Sequence, residues 1–98
     1  MTIVNEVKEI IKAAIPNATV YVLDPMNDGQ HLEAIVISST FEGLMLVKQH
    51  QLVMKPLKEA LAGAVHALGL KTFTPVKWNQ VKQEYGLNDE GDQDDRRN

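Results

Sequence analysis

An α+β domain, three helices packed against a small three-stranded sheet, is predicted by three observations. Two stretches carry apolar or near-apolar residues at helical spacing: Ile3, Val4, Val7, Ile10, Ile11 and Ala14, then His50, Val53, Met54, Leu57, Leu61 and Ala64. Three others, Thr19 to Leu23, His31 to Ser38 and the run after Val65, are short and either β-branched or alternating, as strands are. Proline and aspartate are absent from all three strand runs, and glycine from the first two.

Taken in order, the first helix has Thr2 as its N-cap and ends by Ile15, because Pro16 disfavours a helical conformation in the residue before it. The first strand runs into Asp24-Pro25-Met26-Asn27-Asp28-Gly29, a cluster of turn formers short enough to make the next strand its antiparallel partner. Phe41 anchors a second turn region, in which Gly43 suits a positive φ. In the long helix, Pro56 removes the amide that would bond the Leu52 carbonyl, so a kink or a restart is expected there. After Val65 the period becomes two: His66, Leu68, Leu70 and Thr72 share one face, and Ala67, Gly69, Lys71 and Phe73 the other. Thr74 and Pro75 read as N-cap and first position of a last helix carrying Val76, Trp78, Val81 and Tyr85, which Gly86 ends. The order is α-β-β-α-β-α. A crossover through the long helix makes the second and third strands parallel, giving a mixed sheet, with the helices expected on one face.

Ninety-eight residues make one domain with a modest core. Residues 1–87 are expected to form it and 88–98 a disordered acidic tail, since Asp89, Glu90, Asp92, Asp94 and Asp95 stand there against Arg96 and Arg97 alone. The remainder is balanced, eight lysines against eight acids, which leaves no cationic surplus of the kind that drives tight nucleic-acid binding. The chain has no cysteine, so any thiolate in its chemistry comes from a partner. Neither a signal peptide nor a membrane-length apolar run is present, and a cytoplasmic location is expected. No nucleophile stands beside a base in a recognisable motif and no glycine-rich phosphate loop occurs, so an enzyme is not expected.

Phe41-x-Gly43, Lys48-Gln49-His50-Gln51 followed by Leu52-Val53, Pro56-Leu57, Val65-His66-Ala67-Leu68 and Thr72-Phe73-Thr74-Pro75-x-x-Trp78 together resemble the BolA family. The match covers roughly residues 3 to 80, nearly all of the chain that periodicity assigns to helices and strands. The short hairpin loop, and Gln49-His50-Gln51 where an Arg-His-Arg triplet would stand, make it similar to the shorter, YrbA-like branch. The resemblance implies a fold like the class II KH domain. It also implies a monothiol glutaredoxin as partner, in iron-sulfur cluster assembly, trafficking or iron regulation. By the same resemblance His66 is a ligand to a [2Fe-2S] cluster shared with the glutaredoxin and glutathione, and His31 is the residue available as second ligand.

Each candidate has an ordinary alternative. His66 at a helix-to-strand junction suits a half-buried ring bonded to backbone, and His31 after a turn suits a surface or backbone-bonding residue. His50, on the helical stripe, reads as packing at the core rim. Lys48, Lys55, Lys71 and Lys77 fit a contact surface for DNA or an acidic partner, or ordinary solvated lysines. A nucleic-acid-binding regulator of KH type is therefore the competing function, weakened because Gly43 is followed by Leu44, Met45 and Leu46 and no G-x-x-G loop exists. Leu44, Met45 and Leu46 themselves either close the core or offer an apolar patch to a partner. A weak homodimer is compatible with all of this.

Overall fold

The two amphipathic stripes and the three strand patterns become helices and strands in the expected order in the computed structural model of the protein, which describes residues 3–61 and 67–86. The proposed cap Thr2, the candidate ligand His66 and the acidic tail from Asn88 lie outside the described residues.

Helix α1 spans Ile3–Ala14, with Val7 and Ile11 fully buried. The Ile15 amide still donates to the Ile11 carbonyl at 2.9 Å, and Pro16 stops the ladder there. Asn17, at φ 59°, then turns the chain into β1, Thr19–Leu23; asparagine tolerates that left-handed conformation better than most residues. Strand β2, His31–Ile37, pairs antiparallel with β1 from Thr19 opposite Ile37 to Leu23 opposite Glu33. Strand β3, Ala67–Phe73, lies parallel to β2 on its other side, from His31 opposite Ala67 to Ile37 opposite Phe73. Strand β2 is thus central, which is why Ala34-Ile35-Val36-Ile37 reads as an unbroken apolar run: both of its faces are covered.

The covering corrects one expectation. Val20, Leu32, Ala34 and Val36 meet α1 and the second helix, α2, through Val7, Ile11, Val53 and Leu57, with Phe41 filling the same core. Tyr21, Ile35 and Ile37 point the other way and meet Trp78 of the third helix, α3 (Pro75–Tyr85). Helices α1 and α2 therefore share one face as predicted, but α3 covers the opposite one. A central strand with large aliphatic residues on both faces would otherwise expose Ile35 and Ile37 to water, at roughly 1.5–3 kcal/mol each.

Helix α2 spans Leu46–Leu61, beginning one turn before the stripe at His50, where the Lys48 and Gln49 amides both reach the Met45 carbonyl at 3.0 Å. It continues through Pro56 without a second start. Val53 and Leu57, one turn apart on either side of the proline, are both buried, and their shared anchorage offsets one missing hydrogen bond. Gln49 ties the helix to its surroundings. Its amide nitrogen donates to the Leu44 carbonyl at 2.9 Å, and its oxygen accepts from the Thr72 hydroxyl at 2.6 Å. The turn before α2 is held by buried Ser38, whose hydroxyl donates to the Pro16 carbonyl at 2.7 Å and accepts from the Thr40 amide at 3.1 Å. Gly43 takes the positive φ, 78°, that its place suggested. Helix α3 has the expected ends: Thr74 accepts from the Lys77 amide, and Gly86 closes it in the left-handed conformation at φ 67°.

Candidate functional site: an oriented histidine at the sheet end

The loop between β1 and β2 is built on two aspartates. Asp24 accepts from the Asp28 amide through Oδ1 at 3.2 Å and from the Gly29 amide through Oδ2 at 3.0 Å. Asn27 and Gly29 adopt positive φ, 55° and 70°, which lets the chain curl around that carboxylate. Asp28 then repeats the device one step on. Its Oδ1 accepts from the Gln30 amide at 2.9 Å and the His31 amide at 3.0 Å, and its Oδ2 meets the His31 ring at Nδ1, 2.7 Å away.

These bonds hold the Asp28 carboxyl well below the usual carboxylate range: the His31 amide first, then the Gln30 amide, then the His31 ring. An ionised carboxylate only accepts hydrogen bonds, so the proton of a neutral His31 ring sits on Nδ1. The lone pair is then on Nε2, which has no hydrogen-bond partner among the described residues, on a side chain that is 53% exposed. A carboxylate behind Nδ1 with Nε2 presented outward is the arrangement that orients metal-binding histidines and raises their basicity. Sequence reading named His31 but missed Asp28; the D-x-x-H spacing, with aspartate bonding backbone amides two and three residues on, was the available signal.

Asp28 also makes stability depend on pH in a defined direction. Its folded-state pKa is depressed, so its contribution is complete above the ordinary carboxylate range and lost as pH falls through that range toward the folded value. Asp28→Asn is accordingly expected to be less stable than the parent at neutral pH, with the difference shrinking on acidification. Thermal unfolding of both proteins across the acid range checks this; a gap that widens toward low pH would reverse the assignment. An asparagine amide nitrogen facing Nδ1 would also move the ring proton to Nε2, removing the outward lone pair while leaving the imidazole in place.

Of the other candidates, Lys48 and Lys55 are exposed on α2, Lys77 is exposed in the first turn of α3, and exposed Lys71 lies between Leu70 and Thr72 on β3. Leu70 packs toward the α1–α2 core, whereas Lys71 lines a groove on the opposite face with Ile35 and Tyr85. The four lysines are therefore divided between the two faces of the sheet. His50 is half-buried on α2, as a packing histidine at the core rim would be. Met45 and Leu46, with Val47 beside them, stand exposed at the start of α2, so the apolar residues there do not close the core; Leu44 is half-buried. Among the described residues no three histidine, cysteine or acidic side chains converge on a common metal position. No described helix is long and apolar enough to cross a membrane.

Fold and site together define a small α+β protein that offers an outward imidazole at one end of its sheet without assembling a closed metal centre among its described residues. Comparison with known proteins places it more narrowly. The BolA-like protein family profile matches residues 5–77, and the chain belongs to that family. It is 33% identical over 84 residues to the acid stress protein IbaG of Escherichia coli K12, covering 85% of this chain and 96% of IbaG. It is 41% identical over 59 residues to mouse BolA-like protein 1, covering 60% of this chain but only 43% of that one, so it matches less than half of the mammalian relative's length. The structure of a BolA homologue from Coxiella burnetii superposes with a TM-score of 0.68 at 32% identity, over 81% of this chain and 99% of the other.

Proposed function

We propose that the protein is an adapter that binds a monothiol glutaredoxin and lends His66 and His31 to a [2Fe-2S] cluster bridging the two, with glutathione completing the ligand set. The observation that carries this reading is the His31 ring, oriented through Nδ1 by Asp28 and open at Nε2. Ala67, which follows His66 in the chain, stands opposite His31 in the parallel register of β2 and β3. A cysteine-free chain paired with a thiol-bearing partner would give the mixed nitrogen and sulfur set that raises a [2Fe-2S] potential above that of an all-cysteine cluster. Bound this way, the cluster would serve as cargo or as a redox signal. The chain's own residues hold the imidazole angle and, in the neutral ring, turn the Nε2 lone pair outward.

Mixing the protein with a monothiol glutaredoxin, glutathione and iron is the test. The visible absorption and circular dichroism of the glutaredoxin's own cluster are expected to change on addition of this protein. Unchanged spectra, together with steeply salt-dependent DNA binding that lysine-to-glutamate changes abolish, would support the regulator reading instead.

A further inference from the structure

Strand β3 lies at the edge of the sheet, and no strand among the described residues pairs with its outer side. Its register with β2 is unbroken from Ala67 to Phe73, and the Phe73 carbonyl accepts from the Ser38 amide at 3.1 Å, so Phe73 turns its backbone groups toward β2. Backbone directions alternate along a strand. Lys71 and Gly69 therefore also face β2, whereas Leu68, Leu70 and the largely buried Thr72 turn their N–H and C=O groups outward. Unpaired edge groups of this kind are a template for a further strand. The side chains on the α3 face of this edge follow a second pattern. In the register Glu33 stands beside Gly69 and Ile35 beside Lys71; Glu33 and Lys71 are both exposed, and Gly69 leaves a gap between the glutamate and the edge. That gap opens into an apolar groove of about 260 Å³, walled by Leu23, Ile35 and Tyr85.

We propose that this edge pairs with itself: β3 of a second copy lies antiparallel to it about a twofold axis at Leu70, joining two three-stranded sheets into one of six strands. The two Leu70 residues then exchange both backbone hydrogen bonds, as their outward groups allow. The next pair is Gly69 opposite Lys71 of the second copy, a non-hydrogen-bonded pair whose Cα atoms approach to about 4.5 Å. The glycine leaves room for the aliphatic stem of that lysine. Glu33 stands one strand further on, about 4.8 Å away, so the ammonium of one copy reaches the carboxylate of the other. The twofold axis repeats the contact. Each chain thus carries both halves of it, the lysine and the gap with its carboxylate, at the spacing that symmetry demands, which argues for a second copy over an unrelated strand. The register is specific as well. An axis at Gly69 sets the two gaps against each other, and an axis at Lys71 sets lysine against lysine, which repels. A lysine on an edge strand ordinarily deters pairing; here self-pairing supplies it with a carboxylate. One pair of short strands buries little surface, so the association is weak and reversible.

Sedimentation equilibrium on the full chain, carried up to about 1 mM, reads the association. A reversible monomer–dimer equilibrium is expected. Lys71→Glu and Glu33→Lys, each at an exposed position, should weaken it by about tenfold, because each turns two symmetry-related attractions into repulsions. The chain carrying both changes restores opposite charges across the axis and should dimerise as the parent does. Register is read by disulfide trapping, since the chain has no cysteine of its own. A Gly69→Cys chain mixed with a Lys71→Cys chain and oxidised with glutathione disulfide should give mainly the mixed disulfide. Cysteines at 69 and 71 stand directly opposite, whereas two at 69, or two at 71, are offset by two residues and lie beyond bridging distance. The cysteine at 69 fits, as an added Cβ meets nothing closer than the Glu33 Cγ at 3.7 Å. A parent chain that stays monomeric throughout would overturn the proposal. So would a dimer indifferent to both single charge changes, one that the double change fails to restore, or trapping that favours like-with-like disulfides; each would put the contact on another face or leave the edge to a different partner.

Discussion

His66→Ala is expected to abolish the spectroscopic change that this protein causes when mixed with a glutaredoxin-bound [2Fe-2S] cluster, and His31→Ala to weaken it. The order follows from the chemistry of the two positions. By family resemblance His66 is the expected ligand, and His31 is the residue available as a second one. Removing one of two nitrogen donors leaves an iron site open to solvent or to a returning thiolate, so the mixed-ligand spectrum does not survive loss of the principal one. Asp28→Asn should fall between the parent and His31→Ala, because it keeps the imidazole but shifts its proton toward the nitrogen that faces outward. His50→Ala should leave the signal intact, since that residue is half-buried on α2. Far-ultraviolet circular dichroism on each variant separates loss of a ligand from loss of fold. A full signal from a folded His66→Ala protein would sink the proposed function, and an equal loss with His50→Ala would show the effect to be nonspecific.

The second large effect concerns the α3 face. Trp78 is 5% exposed and stands at the centre of an aromatic cluster, with ring centroids 5.7 Å from Tyr21, 5.5 Å from Phe73 and 5.5 Å from Tyr85. The chain holds only five aromatic residues of these types, and four of them meet here, so the attachment of α3 rests on one patch. An 11-residue helix is marginal by itself in water, and its persistence depends on docking. Trp78→Ala should cost about 3–5 kcal/mol, a large share of the roughly 5–15 kcal/mol that holds a domain of this size folded. Urea unfolding followed by circular dichroism reads the total. Hydrogen exchange reads its location, with the α3 amides losing protection before those of β2, whose other face is held by α1 and α2. Trp78→Phe should recover more than half of the loss. A Trp78→Ala protein with an unchanged midpoint and protected α3 amides would mean that something other than the aromatic patch holds the helix.

Both effects bear on how much could be read in advance. The element order, the antiparallel hairpin, the parallel third strand and both ends of α3 were legible because each is written in local chemistry. Apolar spacing marks a helix face, threonine and glycine mark its ends, and a short loop or a long crossover decides strand direction. His31 was legible as a candidate because the family resemblance asks for a second ligand near the hairpin loop and a chain without cysteine offers only that histidine there. Its orientation was not, because it depends on the Asp28 carboxylate curling back through two backbone bonds.

By itself, then, the amino-acid sequence determined which segments are helix or strand, their order, the absence of any thiolate of its own, and the family to which the chain is similar. Only the tertiary structure decided that α3 covers the second sheet face, that α2 passes through Pro56 in one piece, and that Lys71 faces away from the helix carrying Lys48 and Lys55. Those three outcomes share a physical reason. Periodicity records that a residue has a buried side, but what buries it is chosen by competition among all apolar surfaces at once, and that choice exists only in the assembled fold.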